Sequence, residues 1–76
     1  MNEKNIVLNS VEAAKEFVKA ASECDFDIDV YFNRIALDAK SLLGILSLDL
    51  RNQLRVCYSG ENVGFNTVLA LSLIHI

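Results

Sequence analysis

The 76-residue sequence has no proline, a single histidine and two cysteines. Nothing in it reads as a linker, a low-complexity tract or an internal repeat, and a chain this short has room for one core and one domain. Any active site must therefore lie at the surface. Cys24 and Cys57 are far apart, without C-x-x-C spacing and without clustered histidines. That falls short of a zinc site or a disulfide framework, so two reduced thiols are expected, with no metal and no other cofactor. Basic residues are in the minority, 7 Lys+Arg against 10 Asp+Glu for a net charge of -3, and no window gathers them with aromatics between. This argues against nucleic acid as a partner. Met1 to Asn5 is polar and charged, lacking the apolar block of a secretion signal, so a cytoplasmic protein is expected. The longest apolar run, VLALSLIHI from Val68 to Ile76, is well short of the roughly 20 residues that cross a bilayer, so no membrane span is expected.

What is present is an alternation of periodicities. Ile6, Val7 and Leu8 are β-prone, and Asn9 or Ser10 can then cap a helix by accepting from a free backbone amide. Glu12 suits the positive end of that helix. Val11, Ala14, Phe17, Val18 and Ala21 recur at helical spacing and predict one buried stripe, with Lys15, Glu16, Lys19 and Glu23 in water. From Asp27 to Phe32 the period becomes two, with Ile28, Val30 and Phe32 on one face. A second strand at Ile35 to Asp38 follows a tight Asn33-Arg34 link, which predicts a hairpin; Arg34 suits it poorly if both link residues need positive φ. Ser41 opens a short helix that stops near Asp49, Gln53 to Tyr58 alternates again, and helical spacing resumes at Phe65 after the Ser59-Gly60 break. The order β-α-β-β-α-β-α predicts an α+β open-faced sandwich, a four-stranded antiparallel sheet with helices on one face.

The segment DAKSLLGILSLDL resembles the K-S-hydrophobic-x-x-hydrophobic segment of HPr, the small histidine-containing phosphocarrier of the bacterial sugar phosphotransferase system. Without a gap, FVKAASECDFDIDVYFNRIALDAKS before it and QLRVCYSGE after it are similar to the same family, so the resemblance covers Phe17 to Glu61. It implies the HPr fold, a protein of the bacterial cytoplasm and protein partners of the phosphotransferase system. The family's signature before the first helix, G-[LI]-H-[AT]-R-P-A, is absent. The ungapped register puts Ser10 at the position of its phosphoacceptor His, Glu12 at its Arg and Ala13 at its Pro. A serine phosphate is an unactivated ester, and a carboxylate repels an incoming phosphoryl group that a guanidinium would neutralise. The only histidine, His75, stands at the far end of the chain. A degenerate member without carrier chemistry is expected, acting as a regulatory or partner-binding module.

The resemblance also implies a modification site. Ser41 matches the serine that an ATP-dependent HPr kinase phosphorylates in many Gram-positive bacteria; the alternative is a plain helix cap. Leu42, Leu43, Leu46 and Ser47 match the exposed side of the second helix, which docks partners in the family, although periodicity alone leaves those aliphatics open to a core role. Asp49 replaces the Gly that commonly ends this helix. Two other functions stay open: a working phosphocarrier using another phosphoacceptor, and a ferredoxin-like domain that binds a small ligand or dimerises, which strand order would separate from HPr.

The last six residues, LSLIHI from Leu71 to Ile76, are what a transposon-library adapter encodes when read through in frame. The expectation is a single domain over 1-70, with 71-76 replacing the native end of the third helix. His75 would then carry no biological meaning.

Overall fold

The computed structural model describes residues 1-73, so His75, with the end of the 71-76 segment, lies outside the described residues. The elements are β1 (Asn2–Ile6), α1 (Val11–Ser22), β2 (Ile28–Phe32), β3 (Ile35–Asp38), α2 (Leu42–Leu46), β4 (Leu54–Tyr58) and α3 (Val63–Ser72). The strands form one sheet in the order β1-β4-β2-β3, with every pairing antiparallel. A ferredoxin-like sheet would put β1 and β3 at its centre. Here they are the edges, and the fold is the α+β open-faced sandwich expected from the order of elements.

Alternation along the strands separates the two faces. Ile28 and Val30 of β2 and Leu54, Val56 and Tyr58 of β4 turn inward and are buried with Ala14, Phe17, Val18 and Ala21 of α1 and Phe65 and Leu69 of α3. Fully burying a large apolar side chain is worth about 1.5–3 kcal/mol, and Phe17, Phe65, Ile6, Ile28 and Ile45 are all inaccessible to water. Four rings run through this layer: Phe26 stacks on Tyr58, Tyr58 meets Phe65 edge-on at 5.3 Å, and Phe65 meets Phe17 at 5.8 Å. Gly60 sits close against the Phe26 ring. The other face carries Glu3, Asn5, Asp29 and Arg55, with Arg55 lying 4.9 Å from the Tyr31 ring and 3.4 Å from Glu3.

Four expectations need correction. The first strand is Asn2–Ile6, earlier than the β-prone Ile6-Val7-Leu8, because its partner in the sheet is β4 and the register runs from Asn2 opposite Tyr58 to Ile6 opposite Leu54. Pairing overrides propensity at an edge that is mostly exposed. Val11 leaves the predicted stripe and is 46% exposed, since the first helical residue projects past the packed layer. In the hairpin Asn33 alone has positive φ, at 54°, so Arg34 escapes the strain anticipated for it. Finally, α2 ends at Leu46 with Ser47 as its C-cap, before Asp49, and Asp49 does not adopt positive φ. Asp49 instead binds Arg51 through that residue's backbone N–H and its guanidinium at 3.0 to 3.1 Å.

Candidate functional site

The sequence directs attention to two helix starts. Ser10 has an extended backbone and caps α1: its Oγ accepts from the Ala13 amide at 3.1 Å, and its carbonyl accepts from the Ala14 amide at 3.1 Å. The chain reaches this position through Asn9, whose φ of 68° turns the backbone from the Leu8 anchor into the helix. Asparagine tolerates that left-handed conformation better than most side chains. The Asn9 amide donates to the Leu50 carbonyl at 3.0 Å, so the start of α1 is tied to the segment that leaves α2.

The surroundings of Ser10 are poor in positive charge. Glu12 is the acidic residue of the first turn and is exposed. A concavity beside the start of α1 is lined by Leu8, Asn9, Ala13, Glu16 and Leu71 among others, and among the described residues none that line it is Lys, Arg or His. An anion here would meet the helix start and, among the described lining residues, no paired cation. Nor does any base contact the Ser10 hydroxyl among the described residues.

Ser41 repeats the cap geometry on α2, accepting from the Gly44 amide at 3.3 Å, with its own amide held by the Asp38 carbonyl at 3.0 Å. It is exposed. The segment that meets Asn9 follows the C-terminal end of α2, whereas Ser41 caps its N-terminal end. The short helix itself spans about 7.5 Å at 1.5 Å per residue. Its sides are now assigned. Ile45 is wholly buried, Leu42 and Leu46 are half-buried flanks packed on the core, and Leu43 and Ser47 face water, with Leu43 84% exposed. The Ser47 hydroxyl donates to the Gly44 carbonyl. Periodicity had left this orientation open because four aliphatics in five residues cover every direction around a short helix.

The thiols are free and buried. Burial pushes both above the usual thiol range; for Cys24 the nearby Lys40 opposes the shift, and for Cys57 the hydrogen-bonded Glu3 adds to it. Neutral thiols of this kind are poor nucleophiles. Cys57 is buried although it belongs to the open face, because Glu3 and Asp29 stand opposite it on the neighbouring strands.

The PTS HPr component phosphorylation site family model matches residues 10–62, running from the Ser10 cap through α1, the hairpin, α2 and β4 to the cap of α3. The chain belongs to the HPr family. The match spans more than half of the chain and begins at the residue that the ungapped register sets at the family's phosphoacceptor. Comparison with curated proteins finds no match. None of the described helices of this HPr-family chain is long and apolar enough to cross a membrane.

Proposed function

We propose that this HPr-family protein does not carry phosphate and acts in the bacterial cytoplasm as a regulatory or partner-binding module, with a protein of the phosphotransferase system or its regulation as partner. The observation that carries the reading is the chemistry at the start of α1. The Ser10 hydroxyl accepts from the Ala13 amide, Glu12 adds negative charge, and the lining of the adjacent concavity has no cation among the described residues. Onward phosphoryl transfer needs a carrier side chain that leaves phosphorus readily, and donors that neutralise the phosphoryl oxygens. A seryl ester beside a carboxylate provides neither.

Ser41 is the regulatory phosphorylation candidate, and HPr kinase the candidate enzyme. Its hydroxyl is exposed at a helix start, where a phosphate would replace the cap and accept from the same amides. Leu43 and Ser47, flanked by Leu42 and Leu46, form the candidate partner surface, and the support for it is that a leucine 84% exposed stands at its centre.

The test is intact-mass analysis after two separate incubations, one with phosphoenolpyruvate and enzyme I, the other with ATP and HPr kinase. The expected result is one phosphate from ATP, lost in Ser41→Ala, and none from phosphoenolpyruvate. Phosphate from phosphoenolpyruvate would overturn the reading of Ser10 and Glu12 and favour a carrier with another acceptor. No phosphate from either source would remove the role of Ser41 and leave partner binding alone.

A further inference from the structure

The two edges of the sheet are not equivalent. At β1, Val7 donates to the Ser72 carbonyl at 3.1 Å and Ile6 bridges Leu73, so the chain leaving α3 covers the end of that edge. At β3 no strand among the described residues lies outside the hairpin. The ladder fixes which of its backbone groups are free. Ala39 donates to the Ile28 carbonyl at 2.9 Å, and the register sets Leu37 opposite Val30 and Ile35 opposite Phe32. Antiparallel pairs alternate between hydrogen-bonded and open, so Ile35 and Leu37 turn their backbone toward β2. Ala36 and Asp38 turn theirs outward, and Arg34 precedes the strand in the turn.

Charge at this edge is also unresolved. Asp29 stands directly opposite Asp38 on the open face, a like-charge cross-strand pair. Neither joins an ion pair among the described residues, although Asp38 Oδ1 accepts from the Lys40 amide at 2.9 Å, and Arg34 is exposed in the turn two residues before Ala36. The edge thus bears a cation at its start, an alanine at its middle and an anion at its end. Reversed end for end, that pattern is its own complement.

We propose that β3 is a homodimerisation edge, two copies pairing antiparallel about Ala36. Ala36 then faces Ala36 of the partner subunit, and Arg34 faces Asp38 of the partner subunit at both ends. Ile35 faces Leu37 of the partner subunit on the helix side. This register pairs Ala36 with its own copy and sets opposite charges together twice. A slide of two residues in either direction pairs Ala36 with a charge and leaves the other charge without a counterpart. The Asp38 carbonyl already accepts from Ser41 and keeps a second lone pair for the new ladder. The occupant is a second copy because an unrelated strand would meet a cation and an anion spaced four residues apart, which discourages indiscriminate edge pairing.

With so short an edge in each copy, association is weak and is read at high concentration. Sedimentation equilibrium of the full chain is expected to show the mass rising from 8.4 kDa toward twice that value as concentration approaches about 1 mM. Arg34→Asp alone and Asp38→Arg alone are expected to stay monomeric. Their equimolar mixture is expected to associate, since every facing pair is again of opposite sign. Ala36→Pro removes an outward donor without touching the β2 ladder and is expected to abolish the dimer; should that variant fail to fold, the charge variants decide. A wild-type chain monomeric at about 1 mM overturns the proposal. So does a dimer that survives Arg34→Asp alone or Asp38→Arg alone.

Discussion

Replacing Gly60 by alanine tests whether the aromatic layer at the end of β4 is as tightly filled as its geometry implies. A Cβ built there meets Cγ and Cε1 of Phe26 at 2.6 and 2.7 Å, with Cδ1 closer still. Ordinary carbon contacts are about 3.5–4.0 Å, so the ring must move by about 1 Å. It is not free to do so cheaply, because it stacks on Tyr58, which is itself wedged against Phe65. No glycine in the described chain has positive φ, so backbone strain does not enter. Alanine should even gain about 0.4–1 kcal/mol by restricting the unfolded chain. Against this stand about 1–3 kcal/mol for overpacking and a loss of about 0.5–1.5 kcal/mol of ring stacking. Taken at the middle of these ranges, the net expectation is a destabilisation of about 2 kcal/mol, a fall in Tm of roughly 8–16 °C for a domain of this size. Thermal unfolding followed by circular dichroism reads it, in wild type and in a Phe26→Ala background. With the ring gone, Gly60→Ala is expected to be neutral or mildly stabilising. Equal losses in both backgrounds would refute the steric argument, as would a stabilised single variant.

Ser10→Ala should cost about 1 kcal/mol, and Ser10→Asp, which can still cap, much less; an unchanged Tm in Ser10→Ala would remove the cap from the account. On α2, Ile45→Ala should cost about 2–5 kcal/mol in urea denaturation, whereas Leu43→Ala should stay within about 0.5 kcal/mol; a large loss at Leu43 would mean its exposed side chain is not free for a partner. Burial raises the folded pKa of Cys24 and Cys57 above the unfolded value, so their stabilisation is complete below the unfolded thiol range and is lost as pH rises through the folded pKa. The urea midpoint is therefore expected to fall above about pH 8.5, and less steeply in Cys24→Ala/Cys57→Ala; identical slopes would show that other groups carry the effect.

The inner faces of the strands were legible in the sequence wherever one side of an element meets the core. Ile28 and Val30, Leu54 and Val56, and Ala14, Phe17 and Val18 were placed by period alone, since burial on one face enforces that period. The first strand was not, because β1 lies at the sheet edge with four exposed residues and its position follows from a partner fifty residues away in sequence. The orientation of α2 was hidden for the opposite reason: leucines on every side give no contrast, and only packing reveals that Ile45 points in and Leu43 out. At the candidate site the two caps were readable from Ser10 and Ser41. The link from Asn9 to Leu50, which ties the start of α1 to the segment leaving α2, depends on a left-handed residue and a backbone carbonyl that carry no sequence signature.

The strand order has a consequence for how the chain comes together. The strand synthesised last, β4, is the one that lies between β1 and β2. A chain halted before Leu54 can form the β2-β3 hairpin but leaves β1 with no neighbour in the sheet, and the apolar side of α1 with only part of a floor. Closing the loop from Asn2 to Tyr58 is then the step on which the tertiary structure depends, and contacts of that span slow folding relative to a helical domain of equal size. Until that loop closes, β1 remains an unpaired segment, and the nascent chain exposes the aliphatic surface that the finished domain keeps inside.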